Sequence, residues 1–432
     1  MSSGFLDRAR TVGANLLRKY TGELLFGFSS AASAATGLFA STVASRFLSP
    51  TEMGIMQTVA LVPVYCVFLS CGVFNGLSRD IGFHVGRQDS ARVQDLINAS
   101  WATAWVVGLV GLALSIVLAG YFLLFEYPLL YLSAMLFVGV HLLLEPFSLH
   151  LDVVYLATRS FGSLGRRNLT LNALFLVASL LPIVAGALGF VASRLVFIVT
   201  RYISRAIGHS PKATARGSLR DATSLAKTGI PLATAGVLYS YLNAADRSLV
   251  ATMMKPEDVG LYTLSTLVIA AVQFTPFCIA SIFYPRVSAC FGREGNSAAL
   301  RPYLWSSIGA DLVAVVPIGI ILYFTIGPFT RRFLPAYIDG IDAAKISCLG
   351  SFAYIFVSAS TIISATRRNA PYIICLVVSI ALVWILGSYL ISNGYGLAGV
   401  AWARVGATAI LCTAALTISF LITRSESTKH VR

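Results

Sequence analysis

Charge is what this sequence has least of. Of its 432 residues, 12% are Asp, Glu, Lys or Arg, about half the share found in an ordinary globular protein. Acids are the scarcer sign, 18 against 32 Lys and Arg, and there are five histidines. No P-loop is present, which removes ATP hydrolysis by this chain. The seven cysteines (Cys66, Cys71, Cys278, Cys290, Cys348, Cys375, Cys412) contain no CxxC pair and six fall in apolar segments, so neither a disulfide framework nor a zinc site is expected. What the chain has instead is apolar side chain, 57% of residues, with a mean hydropathy of +0.79. Lipid must then be the solvent for most of it, which excludes soluble enzymes, disordered chains and fibrous repeats. At about 20 apolar residues per span, the composition supplies about 12 helices and leaves little for a soluble domain.

The stretch Met1 to Tyr20 scatters Phe5, Leu6, Val12, Leu16 and Leu17 among Arg8, Arg10, Arg18 and Lys19. Without a compact apolar core it does not read as a cleavable signal, and a cytoplasmic amphipathic segment over 1–21 is expected. Apolar runs bounded by charge, Gly or Pro predict spans at 22–45, 53–77, 96–124, 128–151, 169–186, 187–206, 229–253, 260–284, 303–327, 345–366, 371–393 and 396–423. The fifth and sixth are separated only by the small residues around Leu188-Gly189. One continuous helix there would make eleven spans.

With both termini inside, 24 of the 32 basic residues fall in cytoplasmic segments, including Arg201, Arg205, Arg166-Arg167 and Arg367-Arg368; five fall outside, and Arg194, Arg247 and Arg404 lie within spans. That asymmetry follows the positive-inside rule and sets the orientation. The formal charge of +14 is thus mostly topology and anionic-lipid contact. No aromatic-basic module accompanies it, so nucleic acid is not an expected partner.

The chain also repeats itself. Ser49-Pro50-Thr51-Glu52-Met53-Gly54-Ile55 returns as Lys255-Pro256-Glu257-Asp258-Val259-Gly260-Leu261, an offset of 206, and Val85-Gly86-Arg87 returns at the same offset as Phe291-Gly292-Arg293. Arg166-Arg167-Asn168 recurs as Arg367-Arg368-Asn369, and Gly186-x-x-Gly189 before Arg194 recurs as Gly396-x-x-Gly399 before Arg404. Four matches in one order indicate duplication. The expected organisation is an N-terminal six-helix half over 22–206, a basic cytoplasmic linker over 207–228, a C-terminal half over 229–423 and a tail over 424–432. An even number of spans per half relates the halves by a pseudo-twofold along the membrane normal, with a site near mid-membrane and alternating access by rocking. The first span, from Gly27 to Gly37, is too small and polar for lipid and suits a close helix contact or a wet cavity wall.

Leu242-Asn243-Ala244-Ala245-Asp246-Arg247-Ser248-Leu249-Val250 followed by Lys255-Pro256-Glu257-Asp258-Val259-Gly260-Leu261-Tyr262 resembles the seventh-to-eighth span signature of the bacterial polysaccharide flippases. Arg46 to Gly54 resembles their first-to-second span signature, although Ala40-Ser41 stands where the later copy has Asp246-Arg247. These proteins belong to the multidrug/oligosaccharidyl-lipid/polysaccharide exporter superfamily, and the resemblance covers essentially the whole chain. It implies an all-α, MATE-like polytopic protein of the bacterial inner membrane. The implied activity is movement of undecaprenyl-pyrophosphate-linked oligosaccharide to the outer leaflet for O-antigen, capsule or exopolysaccharide assembly. It also implies a polysaccharide polymerase among the partners, with no cofactor beyond a proton or sodium gradient.

Charges at mid-bilayer cost at least about 2.5–3.5 kcal/mol, so the few present carry the site. His141, Glu145, Ser148, Asp152, Tyr155 and Arg159 step by three and four and share one helix face. Glu145, with His141 one turn away, is suited to accept a proton or hold sodium, and Asp152 is a further candidate. His141 is equally suited to a sugar hydroxyl. The alternative is a polar face buried between neighbouring helices. Arg194 and Arg404 occupy equivalent repeat positions, about 11–12 Å deep at 1.5 Å per residue, and Arg247 lies at similar depth. Three guanidiniums suit a pyrophosphate; snorkelling, or pairing with Asp246, is the plainer use. Asp311 is expected to pair with one of these arginines or to serve as a second proton site.

Three rivals follow. A multidrug and toxin extrusion pump shares the duplication, but needs an acidic cavity for cationic substrates. A major-facilitator carrier is also six plus six; its loop signature starts at Gly76-x-x-x-Asp80 and fails at Ile81, Phe83 and His84. A membrane polymerase or glycosyltransferase needs a large outside loop, whereas the longest here, 328–344, is short and has no paired acids.

Overall fold

The computed structural model describes residues 3–158, 160–207, 214, 217–366 and 368–425, with side chains from Gly22 onward except at Glu23, Leu24 and a few scattered positions. Arg159, Arg367, the basic side chains of 1–21, Lys212, Arg216, Lys429 and Arg432 lie outside the described residues. Every described element is helical, and there is no strand among them. Nine stretches are long and apolar enough to cross a membrane: Pro50–Ser70, Ser90–Leu124, Leu129–Ala157, Leu181–Ala206, Pro256–Ala280, Ser297–Phe333, Pro335–Ala365, Ala370–Ser392 and Gly396–Arg424. The other three expected spans are helices too, within Ser3–Phe47, Phe161–Ala178 and Leu219–Met253. Their hydropathy is lowered by the Gly and Ser content of 27–37, by Arg166-Arg167-Asn168, and by Asp246-Arg247 with Lys227.

The fifth and sixth spans are separate helices, but the turn lies at Ser179-Leu180 and not at 186–187. Pro182 sets it: a proline in the first turn lacks only an N–H that would be unsatisfied anyway. Gly186 marks a second break inside the Leu181–Ala206 helix, with φ of +51°, backbone that favours glycine.

Two compact units are present. One comprises 1–40, 69–121 and 135–232; the other comprises 41–68, 122–134 and 233–432. The second therefore takes in two pieces of the N-terminal half, and for 41–68 the cause is visible in the repeated turn. Ser49 caps the Pro50–Val59 helix, accepting from the Glu52 N–H (3.3 Å) while Glu52 accepts from the Ser49 N–H (2.9 Å). In the other copy Asp258 accepts from the Lys255 N–H (3.0 Å), and Pro256 opens the helix as Pro50 does. The two short helices lie against each other through their glycines. A methyl group at Gly54 would overlap the Pro256 carbonyl oxygen, and one at Gly260 would overlap the Pro50 carbonyl oxygen. Tyr337, fully buried, adds a hydrogen bond to the Leu48 carbonyl (3.0 Å).

In the first unit the same device recurs between Gly72 to Gly76 and Leu225 to Gly229, where a Cβ on Gly72, Gly76 or Gly229 would strike backbone. Around it pack Val73, Leu77, Ile81, Leu96, Ile97 and Leu225. The core of the second unit runs through Val272, Leu300, Leu304, Val315, Ile362 and Ile363. Each of these six is nearly inaccessible, which in a span means it faces other helices and not lipid.

Candidate functional site

The polar face of the Leu129–Ala157 helix meets the Leu181–Ala206 helix. Arg201 donates to Glu145 (2.7 Å) and to Asp152 (3.2 Å), and Arg205 donates to Asp152 as well. Tyr155 donates its hydroxyl to the Arg205 carbonyl (3.2 Å). From Arg205 the polar contacts continue to Asn168 Oδ1 (2.9 Å), from Asn168 to Ser29 Oγ (3.4 Å), from Asn172 to the Ser29 carbonyl (3.2 Å), and from Ser33 to Asn172 Oδ1 (3.0 Å). Four helices of the first unit thus share one part-buried polar chain. Two carboxylates and two guanidiniums balance, which meets the requirement that buried charge be paired. Of the small polar residues of 27–37, Ser29 and Ser33 make this contact, while Gly27 and Gly37 face open space. His141 stands apart: it makes no hydrogen bond with Glu145, and its Nδ1 has no partner. Its ring lies 6.0 Å from that of Phe137.

In the second unit the segment Leu242 to Arg247 gathers the remaining charges. Arg404, 2% exposed, donates to the Leu242 carbonyl and to Asn243 Oδ1 (2.6 Å). Gln273 bridges Asn243 Oδ1 (2.9 Å) and the Tyr354 hydroxyl (2.7 Å). Arg247 donates to Gln57 Oε1 (3.2 Å), and its Nε is unpartnered. Asp246 accepts from the Tyr262 hydroxyl (3.1 Å) and from the Arg247 N–H (2.9 Å). It is within ion-pair distance of no arginine among the described residues, contrary to the pairing expected of it. Asp311 corrects a second expectation. It is fully buried, accepts one backbone N–H from Ser358 (3.3 Å) and has no arginine beside it; Oδ1 is unpartnered. The reason is the broken helix at Val357–Ala359, whose free N–H takes the place of a cation.

Arg194 lies over two rings of the first unit, Phe190 at 4.9 Å and Phe175 at 5.4 Å, and has no carboxylate partner among the described residues. Its repeat counterpart Arg404 is hydrogen-bonded instead, so equivalent positions hold their charge by different means. Arg201 and Arg205 were missed as site residues because they read as orientation charges at a cytoplasmic end. Their one signal was that they lie four apart, on one face of a helix. Asn168, Asn172 and Gln273 carried no comparable pattern.

The family model described as polysaccharide biosynthesis protein matches residues 43–336. The chain belongs to that family. No curated protein matches it by sequence. Solved structures share its fold. An inward-facing multidrug resistance MATE family transporter of the MOP superfamily is 14% identical with a TM-score of 0.70, over 92% of this chain and 96% of that one. The lipid II flippase MurJ, in an inward closed conformation, is 16% identical with a TM-score of 0.68, over 91% of this chain and 87% of that one. An outward-facing MATE transporter is 14% identical with a TM-score of 0.60, over 94% and 95%. The family member is therefore an all-α, multi-pass membrane protein with the MATE-like fold.

Proposed function

We propose that this carrier flips undecaprenyl-pyrophosphate-linked oligosaccharide across the bacterial inner membrane by alternating access, for O-antigen, capsule or exopolysaccharide assembly. Both termini are cytoplasmic in this reading, and a polysaccharide polymerase takes the product on the outer side. The observation that carries it, beside family membership, is the sign of the unneutralised charge. Among the described residues three arginines within spans, Arg194, Arg247 and Arg404, have no carboxylate within 4.0 Å, against two acids, Asp246 and Asp311, with no arginine, while Glu145 and Asp152 do have theirs, so the excess is positive. A cationic drug would need the reverse. Arg194 and Arg247, each considered within its own unit, are the candidates for the pyrophosphate, and His141 is the candidate for a sugar hydroxyl. Arg404 joins them only if the contacts to Leu242 and Asn243 open, since the space beside it admits a single water. A proton or sodium gradient drives the cycle through Glu145, Asp152, Asp246 or Asp311, of which Asp311 is fully buried with no arginine beside it among the described residues and with Oδ1 unpartnered.

Reconstitution into vesicles with labelled undecaprenyl-pyrophosphate oligosaccharide, with and without each gradient, tests the reading. Gradient-stimulated transfer between leaflets is expected. Absence of transfer with every such lipid, together with export of an aromatic cation, would replace it with a MATE-type exporter.

A further inference from the structure

Two tyrosines of the second unit stand at the middle of their spans. Tyr65 lies midway along the expected span 53–77 and Tyr241 midway along 229–253, and both belong to the second unit. Their rings pack together, with centroids 5.1 Å apart and an interplanar angle of 37°. The phenol hydrogens are engaged inside the protein. Tyr241 donates to the Tyr65 carbonyl (3.1 Å), and Tyr65 bonds Ser248 Oγ (2.7 Å), whose own hydrogen goes to the Ala244 carbonyl (2.8 Å). The rings are thus pinned but not enclosed: Tyr65 is 36% exposed and Tyr241 is half-buried.

What the open ring surface faces follows from its depth. Lipid-facing tyrosines collect at the two interfaces, where the hydroxyl reaches headgroups and water, and not at the midplane. The chain beside the pair is not built for lipid either. Just beyond Tyr65 the Leu61–Cys66 helix passes into a 3-10 turn at Val67–Ser70, and Cys71 and Gly72 follow at φ of +44° and +70°. Irregular backbone at that depth is tolerated only inside protein or against a water-filled cavity, and transported molecules are bound at such breaks near the midplane. About 9 Å further along the Tyr241 helix, at 1.5 Å per residue, the half-buried Arg247 donates to the half-buried Gln57 of the Pro50–Val59 helix (3.2 Å). Polar groups therefore continue from the tyrosines toward the outer end of both spans.

We propose that the Tyr65–Tyr241 pair is a stacking platform for a sugar ring of the cargo. Its role rests on the cargo being a glycan, as proposed above, and adds a saccharide contact within the second unit. A pyranose presents a face of C–H bonds, slightly positive, which packs on the negative face of an aromatic ring while the sugar hydroxyls point elsewhere. With both phenol hydrogens engaged, the pair offers ring area and no donor. It therefore selects for a sugar without reading the pattern of its hydroxyls. An organic cation also favours a ring face, but Arg247 on the same helix, with no carboxylate within 4.0 Å among the described residues, opposes one and suits the anionic end of a lipid-linked glycan.

The test compares two probes on full-length protein in detergent: undecaprenyl-pyrophosphate oligosaccharide extracted from the host cell, and undecaprenyl pyrophosphate without sugar. Wild type is expected to bind the glycosylated lipid more tightly. Tyr65→Leu and Tyr241→Leu should each weaken that binding about three- to tenfold and leave the bare lipid unaffected. Tyr241→Phe keeps the ring and loses only the bond to the Tyr65 carbonyl, so it should retain the wild-type preference even where its melting temperature falls; a purely structural tyrosine would show the reverse. Because a leucine variant risks the fold, Tyr241→Trp supplies a second readout, an indole emission that shifts with the glycosylated lipid and not with the bare one. An unchanged preference in the folded leucine variants, or an indole blind to the sugar, overturns the platform alone. Wild type that binds neither lipid overturns the glycan cargo and the platform with it.

Discussion

Replacing Arg201 is the most informative single change in the first unit. Its side chain is 20% exposed and holds both Glu145 and Asp152, themselves 24% and 20% exposed. Arg201→Gln leaves Glu145 without a cation, while Asp152 keeps Arg205. Breaking a buried pair by removing one member costs about 3–5 kcal/mol, and with a fifth of each side chain still accessible the lower end applies. At about 2–4 °C per kcal/mol for a body of 150–250 residues, the melting temperature should fall by roughly 6–12 °C. Arg205→Gln leaves Asp152 with Arg201 but loses two hydrogen bonds, the charged one to Asp152, about 1.5–3 kcal/mol, and the one to Asn168, about 1 kcal/mol, so its cost should be comparable. The decisive measurement is a double-mutant cycle in detergent-solubilised protein. In a Glu145→Gln background, Arg201→Gln should be milder by about 2 kcal/mol, since the orphaned charge is already gone. Strict additivity would refute the pairing, and a stabilising Arg201→Gln would show that the arginine is paid for elsewhere in the cycle.

Gly54→Ala and Gly260→Ala should each force backbone apart and cost about 1–3 kcal/mol or more, whereas Gly292→Ala, which meets open space, should be neutral or stabilising; thermal unfolding of the three reads the difference. Asp311→Asn should leave stability unchanged or raised, because no cation depends on the carboxylate, and should uncouple transfer from the gradient; a melting temperature lower by several degrees would reveal an ionic partner. Arg247→Ala should remove glycan display in a complementation strain at normal expression, and Arg247→Lys should not restore it, a point charge being a poor substitute for a fork.

Much of the architecture was legible because the bilayer enforces it. Span positions follow from apolar run length, and the duplicated Pro-acid-Gly turn reads directly as a helix start, which Ser49, Glu52 and Asp258 then build. The polar stripe through Glu145, Asp152 and Tyr155 was visible as a spacing within one helix. Its partner was not, because which helix faces it is a tertiary fact, and Arg201 and Arg205 fitted the charge rule equally well as loop residues. The turn at Ser179-Leu180 was misplaced for a related reason: small residues at Ala185 to Gly189 look like a loop, but in a membrane a glycine kink inside a helix uses the same residues. Of the two uses expected of Asp311, pairing with an arginine is not found among the described residues, and no sequence pattern announces a helix break that supplies an N–H instead.

The contact between the two copies of the turn has a form that matters beyond packing. Each copy presents to the other the same glycine and receives the same proline carbonyl. Between separate chains that arrangement is an isologous interface, the kind a two-fold homodimer makes with itself. In this chain it has become intramolecular, which binds the two copies to a common history at one spot: a bulkier residue at Gly54 is felt at Pro256, and only a compensating change in the sister copy can relieve it. Arg194 and Arg404 are held by different neighbours at matching positions, whereas at this contact each copy of the turn is the other's neighbour.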